Sequence, residues 1–246
     1  MFKNGKRSNH LLDALPAKES ARMAAYLEQV PMPLGTVIHE SGALQVHVYF
    51  PIDCVVSLLY ALENGNTAEV AIVGDDGIVG MPVITGGSRS PHRAIVQASG
   101  VAMRMLARDL RAEFERAGAI QQVLLRYSQA LMMQIGQTAV CNRHHNVDQQ
   151  LCRWLLMSID RLPDNSLTMT QELIANMLGV RREGVTEAAG KLQDSGAIRY
   201  TRGRITVLDR ARLERSCCEC YEVVRNEYMR LLPWDTTAEA NPDTVA

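Results

Sequence analysis

Two short N-terminal stretches carry apolar residues at three-to-four spacing, which predicts helices over Asn9–Leu15 and Ala17–Glu28. From Pro31 to about Met105 the texture changes. Short apolar or alternating runs follow one another at Thr36–Ile38, Val46–Phe50, Val55–Tyr60, Ala68–Val73, Ile95–Ala98 and Ala102–Leu106. Gly or Pro punctuates these runs, and short strands separated by turn residues predict an all-β barrel or roll. The Asn64-Gly65 pair lies between two of them and favours a type I′ hairpin turn.

Between Ala107 and His144 punctuation nearly vanishes, which predicts one long helix. Ile120, Leu124, Tyr127, Leu131, Ile135 and Thr138 recur at steps of three and four, close to a heptad seam. Such a seam suits packing against a second copy, so these six residues are the expected dimer interface. A further helix is predicted over Asn146–Leu162 and ends at Pro163-Asp164-Asn165. Asp209–Leu232 reads as a last helix, and the tail from Pro233 reads as disordered.

Residues 167–208 carry the most specific pattern, that of a winged helix-turn-helix. Thr170 suits an N-cap for a helix Gln171–Leu178, with Leu173, Ile174, Met177 and Leu178 as its buried side. Gly179 stands where a left-handed turn is needed, followed by Val180 as an apolar plug. A second helix, Arg181–Leu192, turns Val185, Ala188, Ala189 and Leu192 inward and leaves Arg181, Arg182, Glu183 and Thr186 outward. Arginine can bond guanine O6 and N7 bidentately, and a carboxylate accepts from the cytosine amino group, so this face suits a G·C step in the major groove. Gly184 costs helix propensity, and a close approach to DNA is one reason for it. The alternating Ile198, Tyr200, Ile205 and Val207 flank a turn with Arg202 and Arg204, a basic β-wing for phosphates.

Composition narrows the partners. The 246 residues carry a net charge of −1, so a nucleic-acid surface has to be a local patch. Residues 181–204 supply six basic side chains against three acidic ones, a local excess that fits phosphate neutralisation. Aromatic content of 5% argues against stacking platforms for single strands. No apolar leader and no 18-residue apolar stretch stand out, and six cysteines without an export signal suggest reduced thiols in a cytoplasm. No nucleophile–base pair is evident, and Gly74-Asp75-Asp76-Gly77 reads as a turn, so an enzyme is not expected.

This order resembles the Crp/Fnr superfamily of bacterial transcription regulators over roughly residues 9–215, and Gly179-Val-Arg-Arg-Glu183-Gly-Val185 is similar to the family's recognition-helix motif. The resemblance implies an α+β chain: a double-stranded β-helix (a jelly-roll-like sensor) over 9–110 and a dimerisation helix over 111–145. A winged helix-turn-helix over 146–214 and a C-terminal helix with a tail over 215–246 complete it. It implies a homodimer on palindromic double-stranded DNA, with RNA polymerase as a partner if the protein activates, and no membrane partner. Arg182 and Glu183 fall on the family's principal base-reading positions, and Gln171 on a phosphate position. Glu187 stands where many members have a basic residue; Thr170, Lys191, Arg202 and Arg204 complete the expected DNA surface. The competing reading is a ligand-binding or interaction module whose winged helix contacts protein.

The family's cyclic-nucleotide pocket maps to Gly80, Met81, Arg93 and Ala94. Met81 replaces the carboxylate that accepts from ribose, Ala94 replaces a hydroxyl, and Pro82 removes a backbone donor, so cyclic AMP or GMP is not the expected effector. The effector is left unidentified, and no cofactor or metal is expected. Nothing precedes Cys54 to form the family's iron–sulfur cluster, and no motif selects a haem ligand among His39, His47 and His92. Cys217, Cys218 and Cys220 fall on the predicted last helix, where adjacent positions diverge and a fourth ligand is lacking nearby; they read as packed, reduced thiols. His144-His145 reads as a polar junction, and Met132-Met133 as core or seam.

Overall fold

The computed structural model describes residues 8–63 and 65–232; the tail expected to be disordered lies outside them. The chain begins with two short helices, α1 (His10–Asp13) and α2 (Ala17–Ala24). Asn9 caps α1 through Oδ1, while its buried amide donates to the carbonyls of Pro51 (2.9 Å) and Gly77 (2.8 Å). One side chain thus ties the N-terminus to two turns of the roll.

Seven strands build that roll: β1 (Glu28–Met32), β2 (Val37–His39), β3 (His47–Pro51), β4 (Val55–Ala61), β5 (Thr67–Val73), β6 (Arg93–Ala98) and β7 (Gly100–Leu106). They form two antiparallel sheets, ordered β1-β7-β3 and β2-β6-β4-β5. Val48, Phe50, Val56, Leu58, Val96 and Met105 are part of the buried core. Strand β1 falls where the sequence predicts the end of a helix. Pro31 lies within it and is tolerated because β1 pairs only with β7, leaving its other edge open. Between β4 and β5, Leu62 N–H donates to Asn66 O at 2.8 Å; the hairpin turn expected at Asn64-Gly65 includes Asn64, which lies outside the described residues.

The single helix expected over 107–144 is two: α3 (Ala107–Glu115) and α4 (Ala119–His144). Ala117 sits at φ 56° between them, a left-handed conformation that stops a helix. Glu19 of α2 then accepts from the N–H groups of Ala119 (3.0 Å) and Ile120 (3.1 Å), capping α4, and these bonds hold its carboxyl below the usual range. A Cβ on Gly118 would lie 2.8 Å from the same carboxylate, so Gly118 makes room for this cap.

Ile120, Leu124, Tyr127, Leu131 and Thr138 are buried within the protomer, and Ile135 is half-buried. The expected dimer seam therefore faces the chain's own core. It packs on β5 and on the last helix, α9 (Cys220–Leu231). Gln134, fully buried, accepts from Ile72 N–H (2.8 Å), donates to Ile72 O (3.3 Å) and donates to the Tyr228 hydroxyl (2.7 Å). The 74–77 turn anchors the same region. Asp76 pairs with the buried Arg161 at 2.6 Å, and Gly77 leaves space for Tyr127, whose hydroxyl a Cβ would approach to 2.5 Å.

The C-terminal half comprises α5 (Val147–Ile159), β8 (Ser166–Thr168), α6 (Gln171–Leu178), α7 (Arg182–Asp194), the strands β9 (Ile198–Thr201) and β10 (Arg204–Val207), α8 (Arg210–Arg215) and α9. Asn146 and Gln149 form a reciprocal capping box at the start of α5. The predicted Asp209–Leu232 helix is interrupted over 216–219, so Cys217 and Cys218 lie in a break and not on a continuous helix. None of the described helices is long and apolar enough to cross a membrane.

Glu69 of β5 is buried beside Ser57, Arg153 and Trp154, and burial pushes its carboxyl up to about 7 from 4.5. A raised carboxyl pKa adds stability that is fully present below 4.5 and lost as the pH rises through about 7. His39 and His92 act in the opposite sense, because burial lowers their pKa values, His92 to about 4. The difference between wild type and Glu69→Gln isolates the carboxyl: chemical denaturation should show the variant gaining relative stability from about pH 5 to pH 7. Parallel profiles for the two proteins would show that Glu69 does not titrate in the fold.

Candidate nucleic-acid interface

Local sequence chemistry builds the helix-turn-helix. Thr170 Oγ1 accepts from Leu173 N–H at 3.3 Å and caps α6. Gly179 ends that helix at φ 65°, the left-handed cap expected there. Ile174, Ala175, Met177 and Leu178 are buried, but Leu173 is 42% exposed, because this residue follows the cap on the outer side of the first turn. In α7 the inner face is Val185, Ala188, Ala189 and Leu192, all buried. Arg181 is the N-cap residue of α7 rather than its first helical residue.

Arg181, Arg182, Glu183 and Thr186 are exposed at the N-terminal end of α7. Thr186 Oγ1 donates to Gln171 Oε1 at 2.7 Å, linking the two helices of the motif. With its oxygen occupied, the Gln171 amide offers N–H donors, the polarity a phosphate needs. Tyr200 stiffens the base of the wing by donating to Met169 O at 2.9 Å, and burial raises its hydroxyl pKa.

Thr170, Gln171, Glu172, Arg182, Tyr200, Arg202 and Gly203 line an open cleft of about 540 Å³ between the start of α6, the recognition helix and the wing. Arg202 (φ 51°) and Gly203 (φ 78°) form the two-residue turn of the β9–β10 hairpin. Both central residues at positive φ match the type I′ geometry, which arginine rarely adopts. This conformation sets Arg202 on the lip of the cleft.

Two expected DNA contacts lie differently. Arg204 donates to Ser166 Oγ at 2.8 Å and lines a separate cleft with Leu34 and Asp53, away from Arg202. Lys191 pairs with Asp148 (3.0 Å) and with Glu187 one turn before it (2.9 Å). The Glu187 bond and then the Asp148 bond raise the Lys191 pKa, and Lys191 in turn lowers that of Glu187. The acidic side chain at 187 is thus compensated within the domain, and the charge of Lys191 is largely taken up there.

Gly184 is half-buried, and a Cβ there would sit 3.7 and 3.8 Å from the methyls of Val147 in α5, ordinary contact distances. The close neighbour of Gly184 is α5.

In the roll, Gly80 takes φ 125°, and a Cβ would meet Val48 at 2.5 Å, so only glycine fits. Met81 and Ala94 are buried with the core, and Arg93 pairs with Glu40 at 3.2 Å. Sequence reasoning did not find Cys141 and His145, which the fold brings to Cys218 and Cys220 across more than 70 residues of chain. The local signal is the Cys141-x₃-His145 spacing, which puts both on one helix face, and the Cys218-x-Cys220 pair; only the fold brings the two together.

Residues 149–216 match the Crp-like helix-turn-helix domain. No curated protein sequence matches the chain. Solved structures share the fold throughout. A putative transcriptional regulator of the Crp/Fnr family from Eubacterium rectale aligns with a TM-score of 0.64 at 17% identity, covering 86% of this chain and 97% of its own. FixK2 from Bradyrhizobium japonicum gives 0.62 at 15%, covering 78% and 98%. The c-di-GMP responsive global regulator CLP of Xanthomonas campestris gives 0.62 at 15%, covering 78% and 99%. The chain therefore has the Crp/Fnr regulator fold with a Crp-like helix-turn-helix domain, as the sequence resemblance implies.

Replacing Gly184 by Ala should stabilise the protein by about 0.4–1 kcal/mol, because the added methyl meets no clash and the unfolded chain loses freedom. A thermal melt and an operator titration together check this. A higher Tm with operator binding lost would assign the glycine to DNA approach instead.

Proposed function

We propose that the protein is a sequence-specific transcription regulator that binds double-stranded DNA as a homodimer on a palindromic operator. The observation that carries this reading is the cleft edged by Arg182, Gln171, Thr170 and Arg202, beside the exposed Arg181, Glu183 and Thr186. Arg182 and Glu183 read bases in the major groove, while Gln171, Thr170 and Arg202 hold phosphates. Arg204 is a backbone contact at the far side of the wing at most. The reading is a binding function, not catalysis, and DNA as partner assigns the protein to the cytoplasm. An activator of this kind would also touch RNA polymerase.

The dimer surface is the outward face of α4. Leu125, Met132 and Val140 are large apolar residues between 48% and 58% exposed, and Gly136 leaves open space between them. Their steps of seven, four and four give a stripe opposite the one that the protomer buries. A C₂ pair through this stripe would space two recognition helices for half-sites about one helical turn apart. The roll acts as the effector domain, and its effector is neither cyclic AMP nor cyclic GMP. The buried Met81 and Ala94 offer no ribose or phosphate partner, and Arg93 is already paired.

Operator selection from a random pool, followed by titration of Arg182→Ala and Glu183→Ala, tests base reading. Each change should cost about 1–3 kcal/mol on the selected site and relax preference at its own base pair. Arg202→Ala should instead weaken all sequences alike and reduce the salt slope by about one. Selection that returns no consensus would refute sequence-specific reading.

Oligomeric state separates the two faces of α4. Met132→Glu should give monomers in sedimentation and weaken operator binding more than tenfold. Leu131→Ala should cost about 2–5 kcal/mol of stability while leaving the dimer intact. A dimer that survives Met132→Glu unchanged would place the interface elsewhere.

A further inference from the structure

Four ligating side chains meet where the long helix α4 ends and the chain turns into α5. Cys141 belongs to the last turn of α4, His145 is its C-cap, Cys218 lies in the break between α8 and α9, and Cys220 opens α9. Their ligand atoms all lie within 4.8 Å of one another. Cys141 Sγ and Cys218 Sγ are 3.6 Å apart, and Cys220 Sγ is 3.5 Å from His145 Nδ1. Bonds of about 2.3 Å to sulfur and 2.0–2.1 Å to nitrogen at tetrahedral angles give edges of about 3.8 and 3.6 Å. Two of the group's edges already have these lengths.

We propose that Cys141, His145, Cys218 and Cys220 form a mononuclear tetrahedral zinc site. Three thiolates and one imidazole are a Cys₃His donor set, typical of closed structural zinc. The size of the group decides against a multi-iron cluster. Ligands of one ion can be no more than about 4.6 Å apart with sulfur bonds of this length, close to the spread found. Thiolates around a cube of several irons have to stand on opposite sides of the cluster and need more room.

The surroundings fit as well. Glu219 Oε2 lies 3.3 Å from His145 Nε2, so the carboxylate accepts a hydrogen bond from Nε2–H and leaves Nδ1 as the metal-facing lone pair. Gln137 Nε2 donates to Cys220 Sγ at 3.0 Å, a hydrogen bond that suits a coordinating thiolate. Cys141, Cys218 and Cys220 are buried and His145 is half-buried, so the site is shielded from water. On binding, the three thiols each lose a proton to solvent and bind as thiolates, and the neutral imidazole donates its Nδ1 lone pair. Four protein ligands leave no open position, so the site's work is mechanical: it clamps α9 to the end of α4, one residue before Asn146 caps α5. This proposal stands independently of what the winged helix reads.

The test uses the full chain purified under reducing conditions without chelator. Elemental analysis should find one zinc per chain. The metal-free protein should take up one Co²⁺ with the strong visible bands of tetrahedral cobalt and a thiolate charge-transfer band in the near ultraviolet. Cys218→Ser should lose the charge-transfer intensity of one thiolate, whereas Cys54→Ser and Cys217→Ser should leave the spectrum unchanged. Should Cys218→Ser not fold, Glu219→Gln serves instead, because loss of an orienting carboxylate lowers affinity by about tenfold or more. Sub-stoichiometric metal with no cobalt spectrum in the wild type would overturn the proposal. So would a spectrum that both Cys218→Ser and Glu219→Gln leave unchanged, or one that Cys217→Ser abolishes.

Discussion

The fold turns on how the edge strand β5 is closed. A sheet edge exposes unpaired N–H and C=O groups, and here the amide of Gln134 satisfies both groups of Ile72 in place of another strand. This pins α4 across the roll at one register. Tyr127 then fills the space above Gly77, Tyr228 of α9 meets it edge-on at 6.4 Å, and Arg161 stacks over the Tyr228 ring while pairing with Asp76. The inward face of α4 is fully used in joining roll, α5 and α9 within one protomer. Whatever α4 offers to a second copy has to come from its other side.

That constraint explains what the sequence conveys and what it does not. The helix-turn-helix was legible because its determinants are local: a threonine cap, a glycine at positive φ, an apolar stripe and a two-residue wing turn. The roll was legible from its punctuated strands. Periodicity located α4 and its apolar seam but not the partner of that seam, because a heptad-like spacing is the same whether the neighbour is one's own sheet or another chain. The break at 116–118 was hidden for a related reason. Residues 107–117 keep an apolar period, Ala117 at positive φ ends the first helix, and the carboxylate that caps the second comes from Glu19, a hundred residues away. Strand β1 was missed because no apolar run marks 28–32, and its Pro31 is accommodated at the sheet edge.

The structure separates the residues that the sequence groups together as a candidate DNA surface. A count of basic residues treats Lys191, Arg202 and Arg204 alike. Geometry separates them, since Lys191 is bound by two carboxylates, Arg204 turns to Ser166, and Arg202 alone of the three faces the cleft with Arg182. Net positive charge near the site is thus concentrated at the start of α7 and the wing tip. The acidic Glu187, which in isolation would repel a phosphate, is held by Lys191 one turn on.

Strand β5 also links the roll to the helix-turn-helix domain. One of its sides meets α4 through Gln134, and α6 packs on it near Ala68, which lies 3.5 Å from the Cβ position of Gly179. Thr67 Oγ1 approaches Asn176 O at 3.4 Å, and Glu69, Arg153, Met177 and Leu178 converge on one small cleft. The roll therefore touches the first helix of the motif directly, while α7 packs chiefly on α5, α6 and β9. One route from β5 to α7 runs through α6, which packs on α7 and is tied to it by the Gln171–Thr186 bond. The second route runs along α4 into the His145–Asn146 junction, where the chain changes direction between two caps. Contacts from the roll and from α9 thus converge on the two ends of the same small domain. Its orientation relative to α4 is the one variable that both can move.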